Sequence, residues 1–330
     1  MKHFLLPLSW LFGWGVALRN WLFDCGVLRS EQHDLPIVCI GNLAVGGTGK
    51  TPHTEFIARL LLKAGKQVGI LSRGYGRNTH GFLWVEADCS ASQVGDEPLQ
   101  MRLRLPHEKL QCAVCENRNQ GIRLMRQAHP ELDLILLDDA FQHRWVQPSL
   151  SIVLTDYARP YHRDSLLPAG RLREPMKGAR RAQIVIVTRC PENLSEKEAQ
   201  ELTQHLRTHK EQAFFFSRIA YAPLPPMQRA LLITGIAHPE ALVRHLQIQG
   251  VELEHLCYPD HHRFTDADAR HIQARAMEHE HILTTDKDAV RLAELQLPPE
   301  ILARLHSVSI QPEFLFGQSE HFIKTLYNYV

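Results

Sequence analysis

Ile37-Val-Cys-Ile40, followed by Ala44-Val-Gly-Gly-Thr-Gly-Lys-Thr51, is a short apolar run that passes through a glycine-rich turn into a helical pattern. Glycines at 46, 47 and 49 let the backbone bend until successive N–H groups converge, and the helix that follows presents its positive end at the same place. The stretch reads as a phosphate-binding loop that takes a nucleoside triphosphate, with Ala44, Val45, Gly46, Gly47, Thr48 and Gly49 around the phosphates. Lys50 reaches the terminal phosphates, and Thr51 offers its hydroxyl to Mg²⁺. The strict pattern begins with Gly where this chain has Ala44, but Gly41 and Gly46 to either side keep the loop flexible. Pro52 falls in the first helical turn, where its missing N–H costs little.

Outward from this loop, short apolar runs alternate with helix-like segments. The runs are Ile37 to Ile40, Val68 to Leu71, Leu134 to Leu137, Ile152 to Leu154 and Ile184 to Val187. They lack polar alternation, as strands buried on both faces do. Helical composition covers 51–64, 96–105, 117–128 and 195–209. The pattern predicts an α/β fold of the P-loop NTPase type, with a mostly parallel sheet whose carboxyl-end loops carry the chemistry. Tyr221-Ala-Pro-Leu-Pro-Pro-Met227 disfavours regular structure and marks a linker. A second, smaller α/β unit follows, with strands at 230–234, 251–256 and 281–284 and helices at 240–249 and 266–277. The expected domains are 1–30, an N-terminal hydrophobic helix; 31–220, the nucleotide-binding unit; and 221–330, the smaller unit.

The 37 Lys and Arg nearly cancel the 36 Asp and Glu, and no long basic run occurs, which argues against a nucleic-acid partner. No obligate protein partner is evident. Seven cysteines without a disulfide framework suit a reducing compartment, and Cys112 and Cys115, formally Cys-x-x-Cys, read as core packing. Phe4 to Leu18 is apolar and Trp-rich, yet shorter than the roughly 20 residues a spanning helix needs. It reads as an interfacial helix with Lys2, Arg19 and Arg29 toward anionic lipid, or else as a helix packed on its own domain.

The strand 132–137 ends in Asp138-Asp139. Two adjacent carboxylates repel near a core unless a cation is present, so they read as a Mg²⁺ site beside the phosphate loop. Val94-Gly-Asp96-Glu97-Pro98 opens a helix; Asp96 is either a cap or a group that orients or deprotonates a hydroxyl. Pro259-Asp-His261-His262-Arg-Phe264 supplies histidines from the far unit. Arg171 and Arg173 either hold phosphate or are solvated. Thr284-Thr-Asp-Lys287-Asp288 binds an anion or caps a helix.

The order GGTGKT (46–51), SRGYGR (72–77), VGDEP (94–98), LDDAFQHR (137–144), LLPAGRLREP (166–175), PDHHRF (259–264) and TTDKDAVR (284–291) resembles the bacterial tetraacyldisaccharide 4′-kinase family, the lipid A 4′-kinases. The resemblance runs from the apolar N-terminus to about residue 291. It implies transfer of the ATP γ-phosphate to the 4′-hydroxyl of a tetraacylated disaccharide 1-phosphate, giving lipid IVA, at the cytoplasmic face of the inner membrane. By the same resemblance Asp96 activates the hydroxyl, paired with His261. Lys50 clamps phosphate; Thr51 with Asp138 or Asp139 holds Mg²⁺; Gln142 and His143 help close the site. Splitting carboxylate and histidine between two units suggests closure around the substrates. The alternatives are a membrane-associated nucleotide switch and another small-molecule ATP-dependent enzyme.

Overall fold

The computed structural model describes residues 2–330, with side chains from Leu5 onward; the side chain of Lys2 lies outside the described residues. The strands are β1 (Ile37–Asn42), β2 (Val68–Ser72), β3 (Leu83–Trp84), β4 (Leu110–Val114), β5 (Leu134–Asp138), β6 (Leu150–Asp156), β7 (Ile184–Thr188), β8 (Ala213–Tyr221), β9 (Arg229–Thr234), β10 (Glu252–Cys257), β11 (Ile282–Thr285), β12 (Leu305–Val308) and β13 (Ile310–Phe314). The helices are α1 (Lys2–Asp24), α2 (Lys50–Lys63), α3 (Ala91–Val94), α4 (Asp96–Arg104), α5 (Arg118–Ala128), α6 (Glu196–Leu206), α7 (Glu240–Ile248), α8 (Asp266–Ala276), α9 (Asp286–Leu292), α10 (Pro299–Leu302) and α11 (Ser319–Tyr327).

A nine-stranded sheet has the order β13-β8-β7-β6-β1-β5-β2-β4-β3, and a four-stranded sheet the order β10-β9-β11-β12. In the large sheet only the edge pairs β13–β8 and β3–β4 are antiparallel. Its central strands are buried along their length, which is why they read as unbroken apolar runs. The register pairs Ile40 of β1 with Asp138 of β5, so the second nucleotide motif ends beside the exit of β1 into the phosphate loop. Cys112 and Cys115 are buried in the core, and all seven cysteines are free.

The expected boundary of the smaller unit, 221–330, needs correcting at its far end. After β12 the chain returns: β13 pairs with β8, and α11 buries Phe322 among Phe56, Phe215 and Phe314 of the large unit. The second unit is therefore an insertion spanning β9 to β12. Its two connections lie side by side, since Ile310 pairs with Tyr221 and the Ala222 N–H donates to the Ser309 carbonyl at 2.9 Å.

Arg104, the last residue of α4, spans this junction. Its Nη1 contacts Asp286 at 2.7 Å and Glu55 at 3.2 Å, two carboxylates for one guanidinium. Burial pushes the Glu55 carboxyl up to about 7, against the pull of Arg104 and the Gln100 amide, with Asp286 adding to the rise and Arg59 opposing it. A raised acid pKa means the folded state holds a proton the unfolded chain has released, so stability falls as pH climbs from about 4.5 through 7. Glu55→Gln keeps an acceptor for Arg104 and removes that loss. Its stability, followed by thermal unfolding, should therefore gain on the parent's by about 2 kcal/mol as pH rises from 5.5 to 8.5. A gap independent of pH would contradict this.

α1 docks through one face. Ser9 donates to the Leu166 carbonyl and accepts from the Ala169 N–H, both at 3.0 Å, and a Cβ on Gly13 would meet Leu166 at 2.6 Å. Further along, Arg19 donates to the Gln142 carbonyl at 2.7 Å and Phe23 packs edge-on to Trp145. The opposite face exposes Leu8, Trp10, Leu11, Trp14, Leu18 and Trp21, with Trp14 80% accessible. No described helix is long and apolar enough to cross a membrane.

Candidate active site

The phosphate loop is held in shape before any ligand arrives. Gly49, at the N-cap of α2, has φ 80°, a left-handed conformation that costs glycine nothing. The Asn42 amide donates to Thr48 Oγ1 at 2.8 Å, and Thr188 at the end of β7 donates to the Thr48 carbonyl at 2.9 Å. His53, one turn into α2, bridges the Gly49 carbonyl (2.7 Å) and Ser217 Oγ (3.0 Å). Burial pulls its pKa down to about 4 despite the Gly49 bond, so it is a neutral brace. From outside, the Val45 N–H donates to the Arg171 carbonyl and the Arg173 N–H to the Leu43 carbonyl, which fixes the loop carrying both arginines alongside.

At the end of β5 the two aspartates have separate surroundings. Asp138 is buried and accepts from Thr54 Oγ1 at 2.8 Å. Burial first, then the charges of Glu97 and Asp139, push it up to about 7 against the Thr54 bond and Lys50. Asp139 takes a left-handed φ of 45° and lies 3.6 Å from Lys50 Nζ and 3.2 Å from Arg173 Nη1. Arg173 is thus paired with Asp139 while still partly open to solvent. Gln142 binds the Asn42 carbonyl and Glu174, tying the strand end to α1 through Arg19. His143 Nε2 is buried and unpartnered.

Asp96 does not cap its helix; Gly95 does, at φ 95°, where a Cβ would press on Gly74 Cα and the Tyr75 carbonyl at 3.2 Å. That frees the Asp96 carboxylate to face the smaller unit. Its Oδ2 accepts from Arg291 Nη2 at 2.9 Å and Nε at 3.2 Å, and lies 3.2 Å from His261 Nδ1 and 3.9 Å from Lys287 Nζ. Burial alone would raise its pKa, but the His261 bond and the charges of Lys287 and Arg291 win and hold it well below the usual carboxylate range. Lys287 also reaches Glu97 Oε1 (3.2 Å) and His261 Nε2 (3.1 Å). His262 turns away: it stacks on Tyr258 and bonds Asp268 at 3.0 Å.

The segment 284–288 is a helix cap, with Thr285 Oγ1 accepting from the Asp288 N–H. Asp288 binds Gly235 and Arg291 and so aims the guanidinium at Asp96. The sequence reading placed no role on Arg291, Thr54 or Arg189. The spacing offered one signal: Arg291 lies three residues after Asp288 and four after Lys287, which is one face of a helix. Among described non-glycine residues, left-handed backbone occurs at Asp139, Arg189, His261 and Phe316. Two of these belong to the clusters just described, where strain is commonly kept for function.

The family model for "Tetraacyldisaccharide-1-P 4'-kinase" matches residues 1–330. The chain belongs to this kinase family. It is 42% identical to the tetraacyldisaccharide 4'-kinase of Bacteroides fragilis, over all of this chain and 93% of the relative. It is 38% identical to that of Flavobacterium johnsoniae, over 99% and 96%. Its fold is similar to the crystal structure of "apo" form LpxK from Aquifex aeolicus in complex with ATP, with a TM-score of 0.77, 27% identity and 99% of each chain covered. In this member of the kinase family the quoted motifs meet in two groups. The far unit delivers the PDHHRF and TTDKDAVR segments to VGDEP, and β1 and β5 deliver the phosphate loop and the aspartates.

Proposed function

We propose that this chain transfers the γ-phosphate of MgATP to the 4′-hydroxyl of a tetraacylated disaccharide 1-phosphate lying at a membrane surface; its relatives are named as kinases of the tetraacyldisaccharide 4' position. The observation that carries the reading is the contact of Asp96 with His261 across the two units, joined through Lys287 and Glu97 to the field of Asp138 beside the phosphate loop. A hydroxyl acceptor needs a proton acceptor held against a phosphate site, and this contact provides one.

Mg²⁺ suits the residues present. No group of three or more His, Cys, Asp or Glu among the described residues could by itself hold a metal. Mg²⁺ is usually bound by one or two carboxylates with phosphate oxygens and water completing the shell. Thr51 and Asp138 would hold it, Asp138 being a buried carboxylate at the end of β5 with the like charges of Glu97 and Asp139 nearby. Bound there, it would neutralise charge on the β- and γ-phosphates. Asp139, already facing Lys50 and Arg173, positions the lysine instead.

The exposed aromatic face of α1 serves as the membrane contact, at the cytoplasmic face of the inner membrane, with the P-loop unit behind it. Tryptophan and leucine enter the headgroup boundary while Arg19 stays on the protein. Replacing Trp10, Trp14 and Trp21 together with Ser should weaken cosedimentation with anionic phospholipid vesicles by more than tenfold, with the thermal midpoint in detergent little changed. Undiminished vesicle binding would remove the helix from that role. The function itself is tested by labelled phosphate transfer from γ-labelled ATP to detergent-dispersed tetraacyl disaccharide 1-phosphate. ATP turnover without labelled lipid would point to the nucleotide-switch alternative or to a soluble acceptor.

A further inference from the structure

The sheet order sets a direction along the nucleotide. β5, with Asp138, lies on one side of β1, and β6 and β7 lie on the other. Nucleotides in open α/β sheets lie across the carboxyl ends of the strands. With the terminal phosphates drawn toward β5 and the Asp96–His261 pair, the nucleoside half extends over the ends of β6 and β7. The groups waiting there are Asp156, which ends β6, and Thr188 and Arg189 at the end of β7.

Arg189 is built into that edge. Thr188 ties β7 to the phosphate loop through the Thr48 carbonyl (2.9 Å) and to β6 through the Thr155 carbonyl (3.3 Å). The next residue, Arg189, takes φ 57°. Its Nη1 contacts Asp156 Oδ2 at 3.1 Å, and Asp156 Oδ1 in turn accepts from the Ala158 N–H at 2.8 Å. Its Nη2 lies 3.4 Å from where a Cβ on Gly47 would stand, so the guanidinium lies against the phosphate loop in space a side chain would take. A partly exposed ion pair is a weak reason to hold a non-glycine residue left-handed, whereas placing a planar cation at a ligand is a common one.

We infer that Arg189, held by Asp156, is the residue that grips the nucleoside end of ATP, through the purine face. Arginine suits this as a flat cation that stacks on an aromatic ring. Arg189 thus fixes donor identity and affinity, while Lys50 and the loop amides hold the phosphates any triphosphate shares. The inference rests on the reading of the loop as an ATP site.

The test measures binding of ADP and of inorganic tripolyphosphate, each with Mg²⁺, to the full chain and to Arg189→Asn, since Asn tolerates left-handed backbone. ADP binding should weaken about tenfold or more, with tripolyphosphate within twofold of the parent. In turnover, KM for ATP should rise while KM for the lipid does not. Asp156→Asn, which frees the guanidinium, should weaken ADP binding about threefold and decides the matter should Arg189→Asn fail to fold. An unchanged ADP affinity, or equal loss for both probes, overturns the assignment. Failure of the parent to bind either probe would instead sink the ATP reading beneath it.

Discussion

Alanine in place of Lys50 is expected to lower phosphoryl transfer to the lipid by about 10³-fold, the scale of losing a preorganised charge aimed at a developing anion in a shielded site. The ammonium is largely buried at the start of α2, 3.6 Å from Asp139, so it is poised over the phosphate loop before ATP enters. The loss should fall mainly on the transfer step, measured in a single turnover at saturating ATP, because the loop amides still receive the phosphates. Folding should survive, since Asp139 keeps Arg173 as partner at 3.2 Å. A reduction under tenfold would mean that the lysine is a structural partner of Asp139 and no more.

The second large effect is expected at the pair that bridges the units. His261→Ala should cost between about 10²- and 10⁴-fold in kcat, the range of a general base, and Asp96→Asn should cost a comparable factor. The electrostatics divide the labour. Asp96 is held well below the usual carboxylate range once the His261 bond and the charges of Lys287 and Arg291 outweigh burial, so it stays ionised across the working pH range. An anion so stabilised is a weak proton acceptor but a firm anchor for the imidazole at 3.2 Å. His261 Nε2 meets Lys287 Nζ at 3.1 Å, so we propose that it takes the hydroxyl proton once the substrate draws that lysine away. A loss in Asp96→Asn much larger than in His261→Ala, read as kcat at saturating substrates, would return the proton to Asp96. Asp96→Asn should fold, because Arg291 keeps Asp288 and the Gly235 carbonyl, both at 3.0 Å.

The parts of this molecule that the chain announces are those where one local pattern has one meaning. β1, β5 and β7 lie inside a parallel sheet and read as unbroken apolar runs, and GGTGKT has few uses other than wrapping phosphate. The return of the chain to the large unit was hidden. Pro-rich linker chemistry marks the first crossing at 221–227, but the second is the single residue Ser309 between β12 and β13, with no Gly or Pro to punctuate it. β13 even carries Pro312, tolerable only because β13 is the sheet's edge. In the site, the sequence leaves Asp96 as cap or catalyst. The cap reading falls to Gly95, whose φ no spacing rule reports. Arg189 carries no motif at all; only the sheet order and its proximity to Gly47 draw attention to it.

The paired crossings have a mechanical meaning. A module hung on one strand swivels freely; one hung on two adjacent strands, laced together at Ala222 and Ser309, behaves like a door on a strap hinge. Bending across the strap is soft, and twisting about its length is stiff. If the two units open and close, such a hinge confines the PDHHRF loop to an arc in one plane that leads His261 onto Asp96, with Arg104 as the latch at the hinge side. A tether of one strand would leave that alignment to chance.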